Sequence, residues 1–69
     1  MAIKIHSSRK REEKDGGGVV YEFWLYSIAD VANLPKPGDW AADTSSALII
    51  PTGEALALGD NGWVKIGAN

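Results

Sequence analysis

The run Val19-Val20-Tyr21-Glu22-Phe23-Trp24-Leu25-Tyr26 constrains this chain more than any other. β-Branched and aromatic residues, six of these eight, suit a pleated surface, and eight residues make one ordinary strand. Side chains alternate between faces along a strand. Val19, Tyr21, Phe23 and Leu25 therefore share one face, and Val20, Glu22, Trp24 and Tyr26 share the other. Neither face is wholly polar, so this reads as a central strand that calls for cover on both sides. With 69 residues in all, the chain has material for one core only. One of the two covers is therefore expected from another subunit or a partner.

The remaining strands follow from shorter signals. Ile3-Lys4-Ile5-His6 alternates apolar and polar residues, and Ser7-Ser8 prolongs it. Arg9-Lys10-Arg11-Glu12-Glu13-Lys14-Asp15 has nothing apolar to bury, and Gly16-Gly17-Gly18 follows it, so residues 9–18 read as a mobile, charged, glycine-rich loop. Ser27 is placed to cap a short helix over 28–33, which Pro35 stops. Pro35-Lys36-Pro37-Gly38-Asp39 is a turn or extended crossing, and Trp40–Ser46 carries no readable pattern. Ala47-Leu48-Ile49-Ile50, Pro51-Thr52-Gly53 and Glu54-Ala55-Leu56-Ala57-Leu58 make a hairpin. Gly59-Asp60-Asn61-Gly62 turns the chain again into Trp63-Val64-Lys65-Ile66. The expectation is one mostly β domain over residues 1–69. It is a single small antiparallel sheet or a partly open barrel of about five strands, near 2–8, 19–26, 47–51, 54–58 and 63–66, with at most one short helix near 28–33.

Without cysteine, disulfides and thiolate zinc sites are excluded, and the lone His6 cannot anchor a metal, so the usual staples of a small domain are missing. Self-association or docking is the natural substitute. No apolar run approaches the ~20 residues of a membrane helix, and the N-terminus lacks the apolar stretch of a signal peptide, so no membrane contact is expected. Charge is split unevenly. Residues 1–14 carry five basic and two acidic side chains, residues 15–69 two and seven, a dipole of +3 and −5 suited to head-to-tail packing or to an acidic partner.

No catalytic constellation emerges. His6 has no triad partner, and no serine lies in a nucleophile elbow. Asp39, Asp43, Glu54 and Asp60 show no pairing motif. The three glycines lead into a strand, whereas a phosphate loop needs Gly-Lys-Ser/Thr and a helix. Neither an enzyme nor a cofactor is expected. Arg9, Lys10 and Arg11 offer phosphate or acidic-protein contacts, but Glu12, Glu13 and Asp15 interrupt them, which disfavours nucleic acid. Three tryptophans are many for so short a chain. They either close the core or serve an interface, with sugar stacking a minor third reading. The expected contact residues are Trp24 and Tyr26, then Trp40 and the basic residues Arg9, Lys10 and Arg11.

The stretch Ile28-Ala29-Asp30-Val31-Ala32-Asn33-Leu34-Pro35, with Pro37-Gly38-Asp39, Ala47-Leu48-Ile49-Ile50-Pro51-Thr52-Gly53-Glu54-Ala55-Leu56-Ala57-Leu58 and Gly62-Trp63-Val64-Lys65-Ile66, resembles small proteins and modules of tailed bacteriophages and prophages. It departs from their pattern at Pro51, Ala55 and Ala57, and Trp40-Ala41-Ala42-Asp43 looks like an insertion. The resemblance implies a compact β-meander and a structural or virion-associated role, in the virion or the host bacterial cytoplasm. The partners it implies are further copies or other phage structural proteins. The rival expectation is a host-directed or regulatory module that meets an acidic protein or nucleic acid through the basic loop.

Overall fold

A computed structural model describes residues 3–66. Five strands form one sheet in the order β1-β2-β3-β4-β5: β1 Ile3–Lys10, β2 Val19–Leu25, β3 Ser46–Ile49, β4 Glu54–Gly59 and β5 Gly62–Ile66. The mostly β, five-stranded reading is what the fold shows. Ala2, the first residue of the expected strand 2–8, lies outside the described residues, as do 1 and 67–69 of the expected domain.

One feature of the pairing differs from expectation, and another chooses between its alternatives. The sheet is mixed, because β2 and β3 run parallel while the other three pairs are antiparallel. Parallel neighbours need a long crossover, and the residues between Leu25 and Ser46 supply one. The sheet is also open, with β1 and β5 at opposite edges, so the barrel alternative falls away.

The crossover lies over one face and completes the core. Its 3-10 turn, Ile28–Asn33, is capped by Ser27, whose Oγ accepts the Ala29 N–H at 3.2 Å. Phe23, Leu25, Ala47, Ile49 and Leu58 from the sheet are buried with Leu34 and Ala41 from the crossover. Ile3, Tyr21, Val31, Leu56 and Trp63 pack around them. Trp63 pins the crossover in place, its Nε1 donating to the Pro35 carbonyl at 2.8 Å. Asp30 is buried within that turn, and its Oδ1 accepts from Asn33 Nδ2 at 3.4 Å.

Residues 9–18 are more ordered in form than their composition suggests. The β1 ladder continues through Arg9 and Lys10, opposite Val20 and Val19. A 3-10 turn, Glu13–Asp15, then leads into three glycines at φ 110°, 68° and 84°, a backbone course closed to most side chains.

Candidate functional site

Register places the second face of the sheet in two rows. Lys4, Trp24, Leu48, Ala55 and Ile66 lie across all five strands, and Ser7, Glu22, Ser46, Ala57 and Val64 form the adjacent row. No segment among the described residues covers them as the crossover covers the first face. Val64 and Ile66 are 58% and 45% exposed, and Trp24 and Leu48 are half-buried only by their neighbours. Polar groups gather at the β1 side, where Ser7 Oγ donates to Glu22 Oε1 at 3.2 Å. The apolar part spans β2 to β5.

Trp24 sits at the edge of that patch under His6. The two rings stack at 3.9 Å with 8° between planes. His6 reaches this face because the β1–β2 register shifts between Ile5 and Ser7. The Trp24 Nε1–H is enclosed and makes no hydrogen bond. Tyr26 lies just past the end of β2, exposed.

The other expected contact residues are scattered. Arg9 and Lys10 are adjacent on β1 and therefore point to opposite faces, both exposed. Arg11 turns inward: its Nε donates to the Gly17 carbonyl at 2.9 Å, Nη1 to the Asp43 carbonyl at 3.0 Å, and Nη2 pairs with Asp43 Oδ1 at 2.8 Å. A Cβ on Gly16 would stand 2.8 Å from that guanidinium. The basic run is thus three separate residues, and Arg11 is a tie between the glycine turn and the crossover rather than a free contact residue.

Trp40 is 55% exposed on the covered side, its ring nearly perpendicular to Tyr21 and Phe23 at centroid distances of 5.1 and 5.6 Å. It borders a cleft of about 610 Å³ at one end of the sheet, together with Arg11, the glycine turn, Asp39, Asp43 and Asp60. Behind two of the residues that line this cleft, Ala42 and Leu58, lies a buried serine that no sequence signal marks. Ser45, fully buried, donates from Oγ to the Ala42 carbonyl at 2.6 Å and accepts the Tyr21 N–H at 3.1 Å. Its own carbonyl accepts the Leu58 N–H at 2.8 Å. Nothing in Asp-Thr-Ser-Ser marks one serine as the buried one, since the distinction comes from strands that meet only in space.

Among the described residues, no three His, Cys, Asp or Glu side chains are gathered as metal ligands. No described helix is long and apolar enough to cross a membrane. No protein-family model, curated protein or solved structure matches the chain.

Proposed function

We propose that this chain is a non-enzymatic phage or prophage structural protein that works by self-association, within or beside a larger assembly, through the uncovered face of its sheet. The observation that carries the reading is the patch formed by Trp24, Leu48, Ala55, Ala57, Val64 and Ile66 on that face. The similarity of residues 28–66 to tailed-phage modules supports the structural setting. The free edges are poorer candidates. β1 carries Lys4, Arg9, Lys10 and a register shift, and β5 has five residues including Lys65, features that discourage edge-to-edge pairing.

The patch also sets the strength of the contact. Four strands about 4.8 Å apart and about five residues long give a footprint of roughly 300 Å². A stable interface takes about 800 Å² from each partner, so a single pair of faces should associate only weakly. Repetition in an assembly would multiply that affinity.

Light scattering across a concentration series, with the Trp24 indole N–H followed by NMR on the same samples, tests the mechanism. Mass should rise with concentration as Trp24 is shielded, and the exposed-site pair Val64→Lys and Ile66→Lys should hold the chain folded and monomeric. A wild-type chain that stays monomeric into the millimolar range refutes self-association. Genome neighbourhood tests the setting: terminase, portal or tail genes alongside would support it, and an early-gene position would count against it.

A further inference from the structure

We propose that the cleft beside Trp40 is a receptor for a cationic side chain, an alkylammonium or guanidinium group. The proposal stands apart from the sheet-face reading, because Trp40 packs on Tyr21 and Phe23, on the crossover side of the sheet. At about 610 Å³ the cleft is of a size that holds small ligands. Three features select the charge of the occupant.

The first is the aromatic wall. Trp40 is propped edge-on against two other rings and remains more than half exposed, so it offers ring surface at low conformational cost. Tryptophan is the best of the aromatic partners for a cation. The second is the charge of the lining, where the carboxylates Asp39, Asp43 and Asp60 stand against the single guanidinium of Arg11. Arg11 and Asp43 neutralise each other at 2.8 Å, and the other Arg11 nitrogens face main-chain carbonyls, so the charges of Asp39 and Asp60 are left uncancelled by the lining. An anion is repelled there, and a neutral sugar gains nothing from the charge. The third is the fixed carboxylate of Asp39, whose Oδ2 accepts the Lys36 N–H at 3.0 Å and is thereby held at the rim. The carboxylates do not gather as metal ligands, which favours an organic cation over a bare ion.

Such a group can come from a basic segment of another protein or from a second copy of this chain, whose Lys10 and Arg9 are exposed on β1. The experiment is an NMR titration of the ¹⁵N-labelled full chain at low salt with the blocked amides of lysine and arginine. Blocked norleucine and a glucose oligosaccharide serve as uncharged probes. The Trp40 indole N–H and the Gly59 and Asp60 amides should move saturably with the cations and stay still with the uncharged probes. Asp39→Asn with Asp60→Asn, which leaves an oxygen for the Lys36 N–H, should weaken binding about fivefold or more, as should raising salt to about 0.15 M. Absence of a saturable shift, an equal response to norleucine, unchanged affinity in the double Asn variant, or tighter binding of the oligosaccharide would overturn the proposal. Dilution without added probe separates the sources. If a second copy supplies the cation, the Trp40 indole signal shifts with protein concentration, and Arg9→Glu with Lys10→Glu abolishes the shift. If the signal is constant while the lysine and arginine amides bind, the cation comes from another protein.

Discussion

Replacing Ser45 by alanine removes one oxygen and should cost this fold a large share of its stability. The hydroxyl bridges β2 and the crossover, accepting from Tyr21 N at 3.1 Å and donating to the Ala42 carbonyl at 2.6 Å, at a site with no solvent access. The Ala42 carbonyl keeps a second donor in the variant, the Ser45 N–H at 3.2 Å. The Tyr21 N–H has no such substitute, because the parallel β2–β3 ladder begins only at Glu22 opposite Ser46. The loss is therefore one hydrogen bond plus one unsatisfied amide, about 2–3 kcal/mol in total. A chain of 69 residues has roughly 3–10 kcal/mol in all. For a domain this small each kilocalorie moves the midpoint by about 4–8 °C, so thermal unfolding should shift down by roughly 10–20 °C. Urea denaturation followed by circular dichroism measures the free energy, and hydrogen exchange reports the Tyr21 amide separately. Ser8→Ala, at an exposed position of β1, is the control with little effect. A Ser45→Ala loss below about 0.5 kcal/mol, or a Tyr21 amide still protected, would show that water or a shifted carbonyl replaces the hydroxyl and would refute the bridging argument.

Two further outcomes follow from local geometry. Thr44, with φ of 73°, is the one non-glycine residue at positive φ among those described, and it is exposed with its N–H bound to the Leu58 carbonyl. Asparagine tolerates that conformation and threonine does not, so Thr44→Asn should raise stability by about 0.5–1 kcal/mol in urea denaturation, whereas a loss would mean the threonine side chain is needed. The Glu54 carboxyl is held below its usual value of 4.5, chiefly by its hydrogen bond to Lys65, then by Thr52 and by the Lys65 charge. A depressed carboxyl stabilises the fold above its unfolded value, and that contribution disappears as pH falls through the lower folded value. Stability should drop below about pH 4.5, Lys65→Met should remove most of the Glu54 part of the drop and leave the share due to Thr52, and a Glu54 carboxyl titrating at or above 4.5 by NMR would contradict the pairing.

The candidate sites were legible to different degrees. Trp24 was readable as a second-face residue because side-chain alternation along a strand is fixed by backbone geometry. Trp40 could be named as a contact candidate but not placed, since the segment from Trp40 to Ser46 has neither period 2 nor a turn signature and takes its form from what it packs against. Arg11 reads in sequence as one of three equivalent cations, yet it alone is drawn inward. Its distinguishing partner is Asp43, 32 residues away.

The residue order alone shows that the chain is β, where its strands run to within a few residues, and that neither face of the central strand is wholly polar. Those properties depend on neighbours along the chain, through β-branching, alternation and the turn residues Pro51-Thr52-Gly53 and Asn61-Gly62. Folding in three dimensions sets the parallel run of β2 and β3 and which of the two faces the crossover covers. It also decides which serine is buried and which arginine is spent inside. Each of these depends on contacts between residues about 15 to 40 apart, formed when the crossover folds back over Phe23 and Leu25 and leaves the face of Trp24 bare.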